Sequence, residues 1–210
     1  MHEPSMPYVE VTGEATATAV PDQAVVVLGT VTEGPELQPV QAENAAISAR
    51  VIESLLQLGI PRENIQTQDY RIEPRYDYQN GTPIFRGYRA THLLQVTTGN
   101  VEQTGLLVDT AVARGANVVS SIRFAVSRPE LYENRALELA LRNAGQKAAT
   151  IARTLGAVLS PLPGFVQELP RAGEPVAFAA SELAPSSAAP IQPGTWSLRA
   201  AVRVRYTLAR

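Results

Sequence analysis

The chain has 210 residues, 45% of them apolar, and a formal net charge of −2. That length can bury a hydrophobic core as one large domain or two small ones, and the near-neutral charge gives no global pull towards nucleic acid or an anionic membrane. The absence of cysteine excludes disulfides, thiol catalysis and cysteine metal sites, and no apolar run reaches the roughly 20 residues that span a bilayer as a helix.

The first residues, MHEPSMPYVEV, carry neither a basic start nor an apolar run of the kind a signal peptide needs. Residues 8–19 and 23–33 read as two strands, with the turn signal Pro21-Asp22 between them. Gly34-Pro35 closes the second. A helix is expected over 37–58, with the stripe Leu37, Val40, Asn44, Ile47, Val51, Leu55 and Leu58 at spacings of three and four. Residues 65–73 and 86–98 read as the next strand pair, joined by a segment that contains the hairpin dipeptide Asn80-Gly81. A second helix is expected over 101–114, and a strand over 117–127 with Val118, Ile122, Phe124 and Val126 on one face. Pro129 opens the longest helix, to about Leu155, with the stripe Leu137, Leu141, Ala144, Ala148, Ile151 and Leu155. Its alanines make a narrow face that permits close approach to a sheet or helix.

Three of these passages share one pattern: an apolar helical stripe stops at Gly59, Gly115 or Gly156 and the chain runs on into a strand. Residues 171–194 are rich in Ala, Pro and Ser and read as a long loop or arm that could reach a neighbouring chain. Residues 195–208 alternate strictly. Trp196, Leu198, Ala200, Val202, Val204, Tyr206 and Leu208 face one way, and Ser197, Arg199, Ala201, Arg203, Arg205 and Thr207 the other. The order β-β-α-β-β-α-β-α-β-β, with two hairpins, favours an α+β fold with mainly antiparallel sheet. A single domain over 8–208 is expected, with a possible division into 8–84 and 85–208 and a split βαβ arrangement in the second half. The long strands show no obvious edge protection, which invites pairing between chains.

Candidate chemistry is sparse. The histidines are His2 and His92, and His92 shares the phase of Ala90, Leu94 and Val96, as a half-buried structural histidine would. Phosphate-loop, dinucleotide, nucleophile-elbow and zinc-helix motifs are all missing. Gly13-Glu14-Ala15 and Gly115-Ala116-Asn117 read as packing or turn glycines. The carboxylate pairs Glu10/Glu14 and Asp69/Glu73 lie on polar phases beside arginines and read as ion-paired surface. The chain is therefore expected to be no enzyme and to hold no cofactor and no stoichiometric metal. Lys147 is the sole lysine among 18 basic residues. Genome base composition would give that bias, and so would a demand for planar bidentate ion pairs.

The hairpin 71–89 is the most suggestive segment. Tyr76, Tyr78, Phe85 and Tyr88 are interleaved there with Arg71, Arg75, Arg86 and Arg89. Such residues can stack on single-stranded nucleic acid, but they are equally the anchors of protein interfaces. The acidic balance of the chain favours the second reading, with Tyr76, Tyr78, Phe85, Arg86 and Tyr88 as the candidate interface.

Several stretches, in order, carry a family resemblance: VTGEATATAVPDQAVV at 11–26, GIPRENIQTQDYRIEPRYDY at 59–78, GYRATHLLQV at 87–96, RGANVVSSIRF at 114–124, the Ala-rich helix beyond it, and IQPGTWSLRAAVRVRYTL near the end. Together they resemble the SIMPL-domain (YggE-like) family over nearly the whole chain. The resemblance implies an α+β fold and a protein exported to the bacterial envelope, with peripheral rather than membrane-spanning association. It also implies large ring-like homo-oligomers, with a role in oxidative-stress defence for some members and antigenicity for others. A eukaryotic relative is linked to signalling as a binding partner. The resemblance brings no catalytic residues. Two readings stand at this point: a homo-oligomeric scaffold in stress defence, or a binding module for a small ligand or partner protein at the aromatic hairpin.

Overall fold

A computed structural model describes residues 7–170, 177–178 and 193–209. In chain order the elements are β1 (Tyr8–Ala19), β2 (Gln23–Gly34), α1 (Leu37–Gln57), β3 (Ile65–Gln79), β4 (Thr82–Thr98), α2 (Thr104–Ala113), β5 (Val118–Ala125), α3 (Pro129–Thr154), β6 (Val158–Leu159), β7 (Phe165–Glu168), β8 (Ala177–Phe178) and β9 (Thr195–Ala209). The fold is α+β and every strand pairing is antiparallel. His2 and nearly all of the expected arm 171–194 lie outside the described residues.

The chain divides into two compact units. One holds residues 21–125. The other is assembled from 7–20, 126–170, 177–178 and 194–209. The division does not fall at 84–85, because those residues lie inside β4, whose pairing with β3 runs through them.

The unit of residues 21–125 has the sheet order β3-β4-β2-β5. Its element sequence is βαββαβ, with β4 between β2 and β3, which is a split βαβ arrangement. The arrangement therefore lies within residues 21–125 rather than in the second half of the chain. Helices α1 and α2 cover one face, burying Val26, Leu28, Val51, Leu55, Leu94, Val96 and Leu107 together. Asn44, in the apolar stripe of α1, is fully buried and its Nδ2 donates to the Thr30 and Ala90 carbonyls at 3.1 Å each, tying helix to sheet. On β5 the expected single apolar face is interrupted. The register slips between Val27 and Leu28, Val119 is left exposed, Ile122 packs on the core, and Val126 lies beyond the end of the strand.

The other unit packs α3 on a sheet of β1, β9 and the short strands β6, β7 and β8. The alternation read from 195–208 holds: Leu198, Ala200, Val202 and Val204 are buried and Arg199, Arg203 and Arg205 exposed. The stripe expected on α3 holds only in part: Ala144 and Ala148 are buried and Leu137 packs against the core. Leu141, Ile151 and Leu155 are exposed, and the buried face is Ala136, Ala140, Ala144, Ala148 and Ala152. Small side chains let the helix lie against the sheet so closely that large ones are turned out. Gly13 of β1 completes the fit, since a Cβ there would stand 2.1 Å from the Ala140 carbonyl oxygen.

The three α-helices among the described residues end alike. Gly59, Gly115 and Gly156 have positive φ, and the next residue's N–H (Ile60, Ala116, Ala157) reaches back to the carbonyls of Leu55, Ala111 and Ala152. This is the double-bonded helix stop that glycine permits.

Two stretches of sheet edge carry side-chain caps that the sequence did not reveal. Alternation along β1, anchored by the Leu208 N–H bond to the Pro7 carbonyl, turns the backbone groups of Thr12 and Glu14 away from β9. There Lys147 Nζ donates to the Thr12 carbonyl at 2.7 Å, and the Glu14 N–H donates to Asn143 Oδ1 at 3.2 Å. Two side chains one helical turn apart thus stand where another strand would pair. On β2, beyond the end of its pairing with β5, the Asn117 carboxamide accepts from the Val31 N–H and donates to the Val31 carbonyl, both at 2.8 Å.

Candidate functional site: the aromatic ribbon

Strands β3 and β4 run past the end of β2. The last β2 residue, Gly34, pairs with Tyr88, so residues 75–87 continue as a two-stranded ribbon closed by Asn80 and Gly81, at φ 49° and 80°. Positive φ at both central residues is the turn whose twist matches a hairpin. The strands are longer than the sequence suggested, 65–79 and 82–98 against 65–73 and 86–98, because the tip pairs to the turn.

One irregularity sets the ribbon's chemistry. The register slips between Arg75 and Tyr76, leaving Arg86 extra, and Gly87 takes φ 108° against Gly34. A one-residue slip reverses the facing of every residue beyond it. Tyr76 therefore pairs across to Phe85, their rings 5.8 Å apart, and Phe85 lies 5.3 Å from Tyr88, both edge-on. Tyr78, two residues on, shares this face and pairs with Pro83. Tyr76 is 50%, Tyr78 75% and Phe85 47% exposed, and Tyr88 is half-buried. Edge-on ring pairs stabilise a two-stranded ribbon that would otherwise be marginal.

The other face is charged and internally neutralised. Arg86 Nε donates to Asp77 at 2.7 Å. Glu33, at the end of β2, takes Arg89 at 2.7 Å through one oxygen and Arg75 through the other. The Arg89 hydrogen bond, with the charges of Arg75 and Arg89 added, holds the Glu33 carboxyl below its ordinary value against the opposing effect of desolvation. Arg71 lies 3.6 Å from Asp69. Arginines already committed to carboxylates offer little to a phosphate backbone. Of the candidate residues, the structure brings Tyr76, Tyr78, Phe85 and Tyr88 together on one face and turns Arg86 to the other. Glu33 was missed in the sequence, since its partners lie 42 and 56 residues away and no local pattern marks it.

The remaining candidates read as structure. His92 is half-buried, 5.3 Å from the Tyr70 ring and 3.1 Å from Thr67 Oγ1 through Nε2, and burial lowers its pKa below the ordinary histidine value. Glu10 binds Arg205 at 2.8 Å, and that guanidinium lies over the Tyr8 ring, 4.4 Å from its centroid. Among the described residues no three His, Asp or Glu side chains gather as metal ligands. No described helix is long and apolar enough to cross a membrane.

Comparison with known proteins places this geometry in a lineage. The chain is 29% identical over 160 residues to the Edwardsiella ictaluri "Uncharacterized protein YggE", covering 76% of this chain and 67% of that one. It is 28% identical over 159 residues to its Escherichia coli namesake, covering 76% and 65%. It thus spans about two thirds of the length of these YggE proteins. A Brucella melitensis "26 kDa periplasmic immunogenic protein" is 26% identical over 211 residues, covering 95% of this chain and 84% of the relative. The profile of SIMPL, described as "Protein of unknown function (DUF541)", matches residues 9–206, and the chain belongs to that family.

Proposed function

We propose that this chain is a non-enzymatic cell-envelope protein that assembles with copies of itself through the aromatic face of the β3–β4 ribbon. The observation that carries the reading is the row Tyr76, Tyr78, Phe85 and Tyr88, which is exposed at its first three members and backed by a face whose charges are already paired. Tyrosine and phenylalanine presented on a stiff scaffold are favoured interface anchors, and an electrically satisfied back face leaves apolar contact as the ribbon's main offer. The periplasmic placement is supported by the name of the Brucella relative, which matches along 95% of this chain. The non-enzymatic reading is supported by the titratable groups. Where pKa values depart from the ordinary among the described residues, at Glu33, His92, Glu138 and Arg205, an ion pair or burial accounts for each. Defence against oxidative or envelope stress is the cellular task we attach to such a scaffold.

Native mass by light scattering at micromolar concentration tests the assembly. The wild type should run as an oligomer. Replacing Tyr76, Tyr78 and Phe85 by Ser should lower the mass while circular dichroism stays the same, since anchor truncations cost about 2 kcal/mol or more each. Tyr78→Ser alone removes the most exposed ring and should weaken assembly without disturbing the ring pairs of the ribbon. A wild-type monomer would refute self-assembly and favour a binding module, with the same face open to a small ligand or partner protein.

A further inference from the structure

A groove of about 620 Å³ runs along the free edge of β1, between Val11 and Thr12 of the strand and Asn143, Gln146, Lys147 and Ile151 of α3. The groove is open to solvent. Its chemistry is one-sided. The lining contains a cation, two carboxamides, hydroxyls and aliphatic surface, but no carboxylate. Lys147 Nζ uses one of its protons on the Thr12 carbonyl, and among the described residues it has no acidic partner. Two ammonium protons remain for a ligand. Asn143 is fixed by the Glu14 N–H on its Oδ1, which leaves its Nδ2 as an oriented donor a helical turn from Lys147. Ile151, 37% exposed, sits one turn beyond Lys147 on the same helix and supplies an apolar end.

The lysine itself is informative. Every other basic side chain of the 18 is arginine, so the compact, mobile ammonium occurs only at this groove. An ammonium suits a point contact with one anionic group on a short reach, where a guanidinium would demand a planar bidentate partner.

We propose that the groove binds a small organic monocarboxylate. The carboxylate is held by Lys147 Nζ and Asn143 Nδ2, and a short aliphatic body lies against Val11 and Ile151. The single cation favours a monoanion over phosphate, and the apolar end favours a carboxylate that carries hydrocarbon over a bare inorganic ion. The site is separate from the aromatic ribbon and does not depend on self-assembly.

Hexanoate is a suitable probe, followed by amide NMR shifts of the full chain. Saturable shifts confined to residues near 11–14 and 143–151 are expected, with a Kd of about 1 mM. Hexanol and hexylammonium at equal concentration should leave these amides unmoved. Lys147→Met should weaken hexanoate binding about tenfold or more, with the amide spectrum elsewhere unchanged as the check on folding. Lys147→Arg should retain part of the affinity. Shifts that grow linearly and are reproduced by sodium chloride, or that persist in Lys147→Met, would overturn the proposal, as would equal binding of hexanol.

Discussion

Gly13→Ala tests the close seating of α3 on its sheet. The added methyl would stand 2.1 Å from the Ala140 carbonyl oxygen and 2.7 Å from both the nitrogen and Cβ of Ala144. Ordinary carbon contacts lie near 3.5 Å, so helix and strand must part by roughly 1 Å or more. Two of the three opposing atoms are backbone, so no rotamer change relieves the clash. Parting also loosens the contacts of the five buried alanines, and a gap of about 0.5–1 Å forfeits a quarter to a half of a dispersion well. Overpacking of this kind costs about 1–3 kcal/mol. The rigidity of the clash puts this site near the top of that range, offset by up to about 1 kcal/mol from reduced freedom of the unfolded chain. The expected net loss is about 2 kcal/mol. Urea unfolding followed by fluorescence of Trp196, the single tryptophan, reads the sheet that contains the lesion. Gly164→Ala in the same unit is the control, because a Cβ there meets nothing within 4 Å. Equal stability of the two variants, within about 0.5 kcal/mol, would refute close helix–sheet contact as the role of Gly13.

What could be read from the sequence was local. The three glycine stops were legible because each is written in consecutive residues, an apolar stripe and then the only residue that takes positive φ without cost. The alternation of 195–208 was legible because a half-buried strand has a period of two. The stripe of α3 was only partly legible because leucine outweighs alanine in any hydrophobicity pattern. Packing distance decides that face, and it depends on Gly13, more than a hundred residues earlier. The aromatic composition of the ribbon was visible, but its facing was not. A period-two reading across 85–88 would put Phe85 and Tyr88 on opposite faces, and the extra residue Arg86 brings them together. The Glu33 clamp and the side-chain caps on β1 and β2 join residues 42 to 135 apart, and no periodicity signals such partners.

Three further predictions concern the edges and the base of the ribbon. Asn117→Ala removes both side-chain bonds to Val31 and should lower stability by about 1 kcal/mol, water replacing part of what is lost; an unchanged urea midpoint would count against the cap. Glu33 is held below its ordinary value of 4.5, so its grip on Arg89 and Arg75 should be complete above pH 4.5 and lost as pH falls through the lower folded-state value. The Arg89 Nε–H should exchange more slowly in the wild type than in Glu33→Gln at the same pH above 4.5, and that protection should vanish as pH falls through the acid range; equal rates in the two proteins above pH 4.5 would refute the clamp. The last prediction separates two ways a sheet protein can associate. Strand addition needs unpaired backbone groups, and at the middle of β1 the Thr12 carbonyl is taken by Lys147 and the Glu14 N–H by Asn143. With those two groups taken, the association proposed through the aromatic face of the ribbon would meet less competition from edge pairing, which yields open-ended aggregates rather than closed assemblies. Replacing Asn143 and Lys147 together by Ala frees the edge while leaving the buried alanine face intact, and should accelerate aggregation that binds thioflavin T. Adding Thr12→Pro removes an N–H that points at the free edge, not at β9, and should abolish that gain. Aggregation of the double variant at the wild-type rate would show that Asn143 and Lys147 do not guard the edge, and an accelerated rate that survives Thr12→Pro would show that the association does not run through β1.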